Sequence, residues 1–182
     1  MHRWTKRFAQ RQIPLKEILA SVWIGVILVC LSVACTRQPT VEHLYALGET
    51  VEVDGWQITV HNFSILPPDQ WHQPQEGYVF CAVELTLQNA SGQIRYVMPE
   101  KQMTLLDGDG HAYALDSPAS VMAARLHNWF APQGGLEPDQ KAYGAAAYQV
   151  PAKAQNLRWV FRGGLLPWSH SAVFVLGDLP GQ

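Results

Sequence analysis

The chain has 182 residues and a formal net charge of −2, and 48% of its residues are hydrophobic while 15% are charged. Its wealth of aromatic and aliphatic residues excludes a disordered chain, and the lack of a basic stripe argues against a nucleic-acid binder. The three cysteines are too few for a disulfide scaffold. The length fits one domain plus a targeting segment.

The N-terminal segment has the layout of an export signal. Residues 1–17 carry five basic side chains and one acidic one, and residues 18–35 carry no charge. A basic stretch followed by an apolar one directs the rest of the chain out of the cytoplasm. We therefore predict that residues 1–34 are a signal peptide. The alternative is an uncleaved signal anchor, for which the apolar stretch is near the minimum spanning length.

The end of the apolar stretch, Leu31-Ser32-Val33-Ala34-Cys35, resembles the lipobox of bacterial lipoproteins. The resemblance implies cleavage before Cys35 and acylation of its thiol, and two or three acyl chains hold a protein stably on a bilayer. The predicted protein is extracytoplasmic and lipid-anchored, in the outer membrane if the host has one. Residues 35–47 are predicted to be the lipidated cysteine and a tether. The 148 residues from Cys35 onward carry a formal side-chain charge of −6.

A β pattern begins at residue 48. Strands are predicted over 50–53 and 56–61, separated by the turn dipeptide Asp54-Gly55. The clearest strand covers 78–88, because apolar and polar residues alternate along it. Two apolar faces are predicted to be buried: Trp56, Ile58 and Val60 on one strand, and Cys81, Val83, Leu85 and Leu87 on the other.

The second half continues as short strands with one predicted helix, over residues 117–128. Ser117 is the predicted N-cap of this helix, and Pro118 suits its first position. Seven to nine strands separated by turn signals predict an all-β sandwich over residues 48–178. The remaining strands are predicted at 95–98, 103–106, 111–115, 141–150, 157–162 and 171–176.

The order of these features resembles the bacterial "domain of unknown function 4352" family, which is grouped with the immunoprotective extracellular, immunoglobulin-like proteins. The resemblance covers residues 47–177 and implies an antiparallel immunoglobulin-like β-sandwich that is secreted or lipid-anchored. It implies no catalytic residues. The residues that carry it are Gly48-Glu49-Thr50-Val51, Gly77-Tyr78-Val79-Phe80, the turn 105–110 with Tyr113, Pro138-Asp139-Gln140-Lys141, Gly144, Tyr148-Gln149-Val150-Pro151 and 157–161.

The polar motifs favour structural interpretations, so no cofactor, metal site or catalytic residue is predicted. Asp107-Gly108-Asp109-Gly110 invites comparison with a calcium loop, but the twelfth position, where that loop needs Glu, is Pro118. A hairpin turn is the favoured interpretation, with a weak cation site as the alternative. No two histidines have the spacing of a helical zinc pair. Cys81 is predicted to be a buried, inert thiol.

Aromatic residues on two loops are the remaining candidates for binding. Trp71 and His72 lie in a proline-rich loop, and Trp129 and Phe130 lie in another. Such residues form binding surfaces or pack beneath their own loops, and both alternatives stay open. The favoured function is a non-catalytic, membrane-tethered module that binds an envelope protein or supports envelope assembly. The alternative is a metal- or small-ligand-binding protein with a pocket at one end of the sandwich, and an unrecognised hydrolase ranks last.

Overall fold

A computed structural model describes residues 43–126, 133–166 and 168–180. The predicted signal segment, Cys35, Trp129 and Phe130 lie outside these residues. Within the described residues there are eleven strands and two helices: β1 (Leu44–Tyr45), β2 (Thr50–Val53), β3 (Trp56–Leu66), β4 (Tyr78–Asn89), β5 (Arg95–Val97), α1 (Pro99–Gln102), β6 (Met103–Leu106), β7 (Ala112–Tyr113), α2 (Ser117–Leu126), β8 (Gly134–Leu136), β9 (Lys141–Pro151), β10 (Leu157–Arg162) and β11 (Ser171–Gly177).

The strands form an immunoglobulin-like β-sandwich, which confirms the predicted fold class. One sheet has the order β1-β11-β10-β6-β7 and the other β2-β3-β4-β9, while β5 and β8 form a small ribbon. The strand pairs are antiparallel, except that β1 runs parallel to β11. There are more strands than the predicted seven to nine because β1 and β8, which have two and three residues, were not predicted. Alternation over so few positions gives no recognisable pattern.

The core lies between the two larger sheets, where both predicted apolar faces are buried. Side chains at alternate positions of β3 and β4 enter this core because successive residues of a strand point to opposite faces. A buried hydrogen bond joins the sheets, since Nε1 of Trp159 on β10 donates to Oη of Tyr148 on β9 over 2.8 Å. Burial of Tyr148 raises the pKa of its hydroxyl above its ordinary range. The bond therefore satisfies two polar atoms that are out of contact with water.

Helix α2 covers the outer face of the four-stranded sheet. Small side chains on both surfaces allow close approach, and they form a second apolar cluster. This cluster buries Ala82, which lies on the face of β4 opposite the main core. The helix thus places its surface beside the loop that joins β3 to β4. The cluster consists of Leu66, Phe80, Ala82, Ala119, Ala123, Ala145 and Ala147.

Three local features differ from the sequence-based prediction. The sequence pattern predicts that Leu44 and Tyr45 belong to the tether, but they pair with β11. Residues Pro99–Gln102 form a short helix instead of a simple break between strands. Strand β3 continues to Leu66 because its register shifts between Val60 and Asn62, which brings Phe63 back into the core. A bulge of this kind interrupts the alternation that locates strand ends in a sequence.

Candidate functional site

The sandwich has two ends, which we name after an exposed tryptophan at each. The Trp71 end carries the β3–β4 loop (residues 67–77), the 107–111 turn and the 152–156 turn, which are linked by backbone hydrogen bonds. The Trp168 end carries the Asp54-Gly55 turn and the β10–β11 loop (residues 163–170). Strand β3 runs from one end to the other, which separates them by roughly 34 Å at ~3.4 Å per residue.

Asp69 fixes the conformation of the loop that presents Trp71. Its Oδ1 accepts hydrogen bonds from the backbone N–H groups of Trp71, at 2.8 Å, and His72, at 2.7 Å. This is an Asx turn, which an aspartate favours by bonding its own downstream backbone. The turn leaves the Trp71 side chain 85% exposed. An exposed aromatic side chain on a fixed backbone suits a binding role, and the role itself stays a prediction.

His72 fastens the same loop to the body of the protein. Its ring stacks on Phe80, with centroids 4.7 Å apart and planes 11° apart. Its Nε2 lies 3.1 Å from Oδ1 of Asp116. That oxygen also accepts the backbone N–H of Ala119 at 2.9 Å, so Asp116 caps α2 and the prediction that Ser117 does so is wrong. His72 therefore positions the loop against the helix.

A groove separates the Trp71 loop from helix α2. It encloses about 790 Å³, which is within the size range of ligand-binding pockets. Its lining residues are mostly apolar, and one acidic and one basic residue are among them. We call it the Trp71 groove, and it is lined by Pro67, Pro68, Asp69, Trp71, His72, Pro118, Val121, Met122 and Arg125.

A second hollow at the Trp71 end contains acidic residues. One ligand atom from each of Asp107, Asp109 and His111 lies within 4.8 Å of the others, beside a cavity of about 380 Å³. The Asp107 carboxylate is already engaged. Its Oδ1 accepts the backbone N–H groups of Asp109 and His111, while Oδ2 accepts the Tyr113 hydroxyl at 2.7 Å and lies 3.0 Å from Nδ1 of His111. Asp107 thus anchors the β6–β7 hairpin turn.

These contacts shift two pKa values in opposite directions. The hydrogen bond from Tyr113 and those from His111 lower the pKa of Asp107 from 3.8 to about 2. Burial and the Asp107 charge raise the pKa of Tyr113 to about 12. Both shifts favour the protonation states that form the hydrogen bond, an ionised Asp107 carboxylate and a neutral Tyr113 hydroxyl. They are therefore explained by the structure of the turn.

Cys81 is buried as predicted, and its Sγ lies 3.7 Å from the carbonyl oxygen of Tyr148. Burial raises the pKa of its thiol to about 12. The thiolate is the reactive form of cysteine, so Cys81 should be inert while the protein is folded.

Sequence reasoning did not identify Asp69, Asp116 or helix α2 as parts of this surface. The Pro-Pro-Asp run before Trp71 is a signal for an Asx turn that could have indicated Asp69. Asp116 lies 44 residues from His72, and the meeting of the two depends on how the sandwich folds.

Within the described residues, no helix has the length and apolar character needed to span a membrane.

The structure defines a class of protein, an immunoglobulin-like β-sandwich with a groove between one end loop and a covering helix. The chain belongs to the family "Domain of unknown function (DUF4352)", whose model matches residues 45–173. This confirms the family that the sequence motifs resemble. No curated protein matches the chain.

Solved structures of low sequence identity share the fold. The candidate lipoprotein YcdA of Bacillus subtilis has a TM-score of 0.56 at 15% identity, over 70% of this chain and 38% of that one. The YjhA protein of Bacillus subtilis has a TM-score of 0.53 at 14% identity, over 72% and 98%. A conserved hypothetical protein of Bacillus anthracis has a TM-score of 0.51 at 15% identity, over 74% and 94%. The chain thus matches well under half the length of YcdA.

Proposed function

We propose that the protein is an extracytoplasmic lipoprotein, tethered through Cys35, whose sandwich binds a protein partner in the Trp71 groove without catalysing a reaction. The exposed Trp71 ring carries the proposal, because Asp69 fixes the backbone that presents this ring at the edge of an apolar groove. Rigid aromatic residues beside a pocket supply much of the binding energy of protein interfaces. The lipobox ending at Cys35 supports the tether, and so does the fold shared with the candidate lipoprotein YcdA.

The titratable groups support binding over catalysis. Perturbed pKa values cluster at catalytic sites, where they mark acids, bases and nucleophiles. The groups with shifted pKa values in the described part of this chain instead have structural partners. Asp107 and Tyr113 stabilise a turn, Tyr148 joins the two sheets, and Cys81 packs in the core.

The shape of the groove suits a protein segment. Trp71 and Pro118 lie among the residues of its two facing walls, and an apolar side chain inserted between them would lose contact with water on both sides. Asp69 and Arg125 offer one charge of each sign to the polar backbone or side chains that flank it. Protein–protein interfaces likewise combine apolar residues with polar and charged ones.

A photo-crosslinking amino acid at position 71 tests the binding role in intact cells. We expect a discrete crosslinked protein at this position and none from position 143, where Tyr143 is exposed elsewhere on the domain. Val121→Asp, in the groove wall, should abolish the product without unfolding the domain, since Val121 is itself exposed. Equal crosslinking from positions 71 and 143, or no effect of Val121→Asp, would contradict the proposal.

A small ligand is the second candidate occupant, because the groove volume also fits small-molecule sites. Native mass spectrometry of protein purified from its own envelope would show a bound compound as a discrete added mass. The mass should disappear in the Val121→Asp variant. If it does, and position 71 crosslinks no protein, the small-ligand function replaces the protein partner.

Lipid labelling tests the tether separately. Cys35→Ala should abolish incorporation of a labelled fatty acid and block signal processing, because the acylated thiol is removed. Cys30→Ala is the matched control, since it changes a cysteine in the same segment and should leave labelling intact. Unchanged labelling in Cys35→Ala would refute the lipoprotein assignment.

A further inference from the structure

The β10–β11 loop exposes large apolar side chains at the end opposite the Trp71 groove. Leu165 is 49% exposed, Leu166 is 52% exposed and Trp168 is 70% exposed. We call these three residues the Trp168 tip. Loops between strands are ordinarily polar, and a run of exposed apolar residues marks a surface that meets something other than water.

The base of this loop is held firmly. The Gly163 carbonyl oxygen accepts hydrogen bonds from Nε1 of Trp56, at 3.0 Å, and Nη2 of Arg95, at 3.1 Å. Oδ2 of Asp54 accepts the backbone N–H of His170 at 2.9 Å, and Oδ1 lies 2.7 Å from Nδ1 of the same residue. One stem of the loop is therefore fixed to β3 and β5 and the other to the β2–β3 turn, so the tip lies on a firmly held base.

The chain enters the sandwich at this same end. Leu44 pairs in parallel with Val173, and β11 begins at Ser171 directly after the loop. Cys35 lies eight residues before His43. At ~3.3 Å per residue, that segment reaches at most about 26 Å. Acyl chains on Cys35 would therefore keep the Trp168 end close to the bilayer.

The chemistry of the tip fits a lipid surface. Trp side chains favour the boundary between headgroups and acyl chains, where the ring is buried and its N–H stays near water. Residues 162–171 contain no acidic side chain, and the exposed Arg162 begins this segment. A cation beside an apolar tip can contact lipid phosphates.

We propose that the Trp168 tip inserts into the boundary between headgroups and acyl chains of the membrane that holds Cys35. This inference rests on the proposed tether. The tip then acts as a second anchor, and two anchors at one end fix the orientation of the sandwich. The Trp71 groove consequently faces away from the membrane, about the length of β3 from the Trp168 end.

Depth-dependent quenching of a fluorescent label tests the insertion. The full acylated chain is reconstituted in vesicles of equimolar phosphatidylethanolamine and phosphatidylglycerol that contain a nitroxide lipid. An environment-sensitive fluorophore is attached to Leu165→Cys, with Gln70→Cys on the exposed Trp71 loop as the matched control. Labelling is selective because Cys81 is buried and the Cys35 thiol is acylated.

We expect the nitroxide lipid to quench the label at position 165 and leave the label at position 70 unchanged. Quenching at position 165 should be lost when Leu166→Asp and Trp168→Asp are added, and circular dichroism should show the same fold. Acylated protein with no quenching at 165, quenching at both positions, or quenching that survives the two aspartates would overturn the insertion while the tether stands. If mass spectrometry finds no acyl chain and the protein does not float with vesicles, the proposed tether fails and the insertion with it.

Discussion

The two ends of the sandwich each expose a tryptophan, but they present it on surfaces of opposite shape. Trp71 lies at the edge of a groove walled by helix α2, whereas Trp168 lies on a projecting loop beside two exposed leucines. A concave apolar surface can enclose a side chain or a ligand, and a projecting one cannot. A projecting apolar surface can instead enter a fluid interface. The same residue type therefore indicates different occupants at the two ends.

The supports of the two loops are alike. At each end an aspartate accepts backbone N–H groups, Asp69 under Trp71 and Asp54 at the base of the Trp168 loop. Each loop also has a histidine beside a carboxylate, His72 with Asp116 and His170 with Asp54. Hydrogen bonds hold the backbone of both loops while the tryptophan side chains remain exposed. Substitution of either tryptophan should therefore have little effect on the fold.

The largest expected difference is in the free energy of unfolding, between variants of buried tryptophans and variants of exposed ones. Trp56→Ala should lower the free energy of unfolding by about 3–5 kcal/mol, because it leaves a cavity in the core and removes the donor to Gly163. Trp71→Ala and Trp168→Ala should each change it by less than about 0.5 kcal/mol. Urea unfolding measures all three. A loss at Trp168 as large as that at Trp56 would show that the tip is part of the core.

A glycine pair tests the close packing beneath the Trp168 loop. A Cβ at Gly163 would lie 2.6 Å from Cβ of Asp54, so Gly163→Ala should cost about 1–3 kcal/mol. Gly92→Ala is the matched control, since no atom lies within 4 Å of the added Cβ. Thermal unfolding of the two variants gives the comparison. Equal stability would mean that the loop base is not held against the β2–β3 turn.

At the Trp71 end, a smaller effect distinguishes two caps of helix α2. Asp116→Ala should cost about 0.5–2 kcal/mol, because it removes the acceptor for Ala119 N–H and the contact with His72. Ser117→Ala should have little effect, since its hydroxyl makes an exposed bond to Glu100. Urea midpoints of the two variants decide between them, and a larger loss for Ser117→Ala would reverse the assignment.

The smallest effect concerns the pH dependence of the 107–111 turn. The pKa of Asp107 is lower in the folded protein, so its contribution to stability is full above its ordinary pKa of 3.8 and is lost as the pH falls towards about 2. Tyr113→Phe removes the largest cause of the shift and should raise the pKa towards 3.8. NMR titration of the Asp107 carboxyl carbon follows the change. An unaltered pKa in Tyr113→Phe would exclude the hydroxyl as its cause.

The sequence predicted the features that depend on neighbouring residues. Alternation along β3 and β4 correctly identified Trp56, Ile58, Val60, Cys81, Val83, Leu85 and Leu87 as buried. Helix α2 was also located, because Pro118 lies in its first turn and the helix is long enough to recognise. These successes share a cause, since the local period of apolar residues follows the pleat or turn of the backbone.

The features that were missed depend on contacts between distant parts of the chain. Strand β1 has only two residues, and it forms because these residues pair with β11. Asp116, and not Ser117, caps α2. One of its carboxylate oxygens accepts the Ala119 N–H and also lies beside the His72 ring. The Trp168 tip did leave a signal, an apolar run where a turn is expected, but only the fold shows that this run lies beside the start of β1.

We propose that one end of the sandwich meets the membrane and that the other meets a protein partner. A photo-crosslinking amino acid placed singly at position 168 or position 71, in intact cells, measures both contacts with the same chemistry. We expect lipid adducts from position 168 and a discrete protein adduct from position 71. Protein adducts from position 168 and lipid adducts from position 71, or the same products from both, would contradict it.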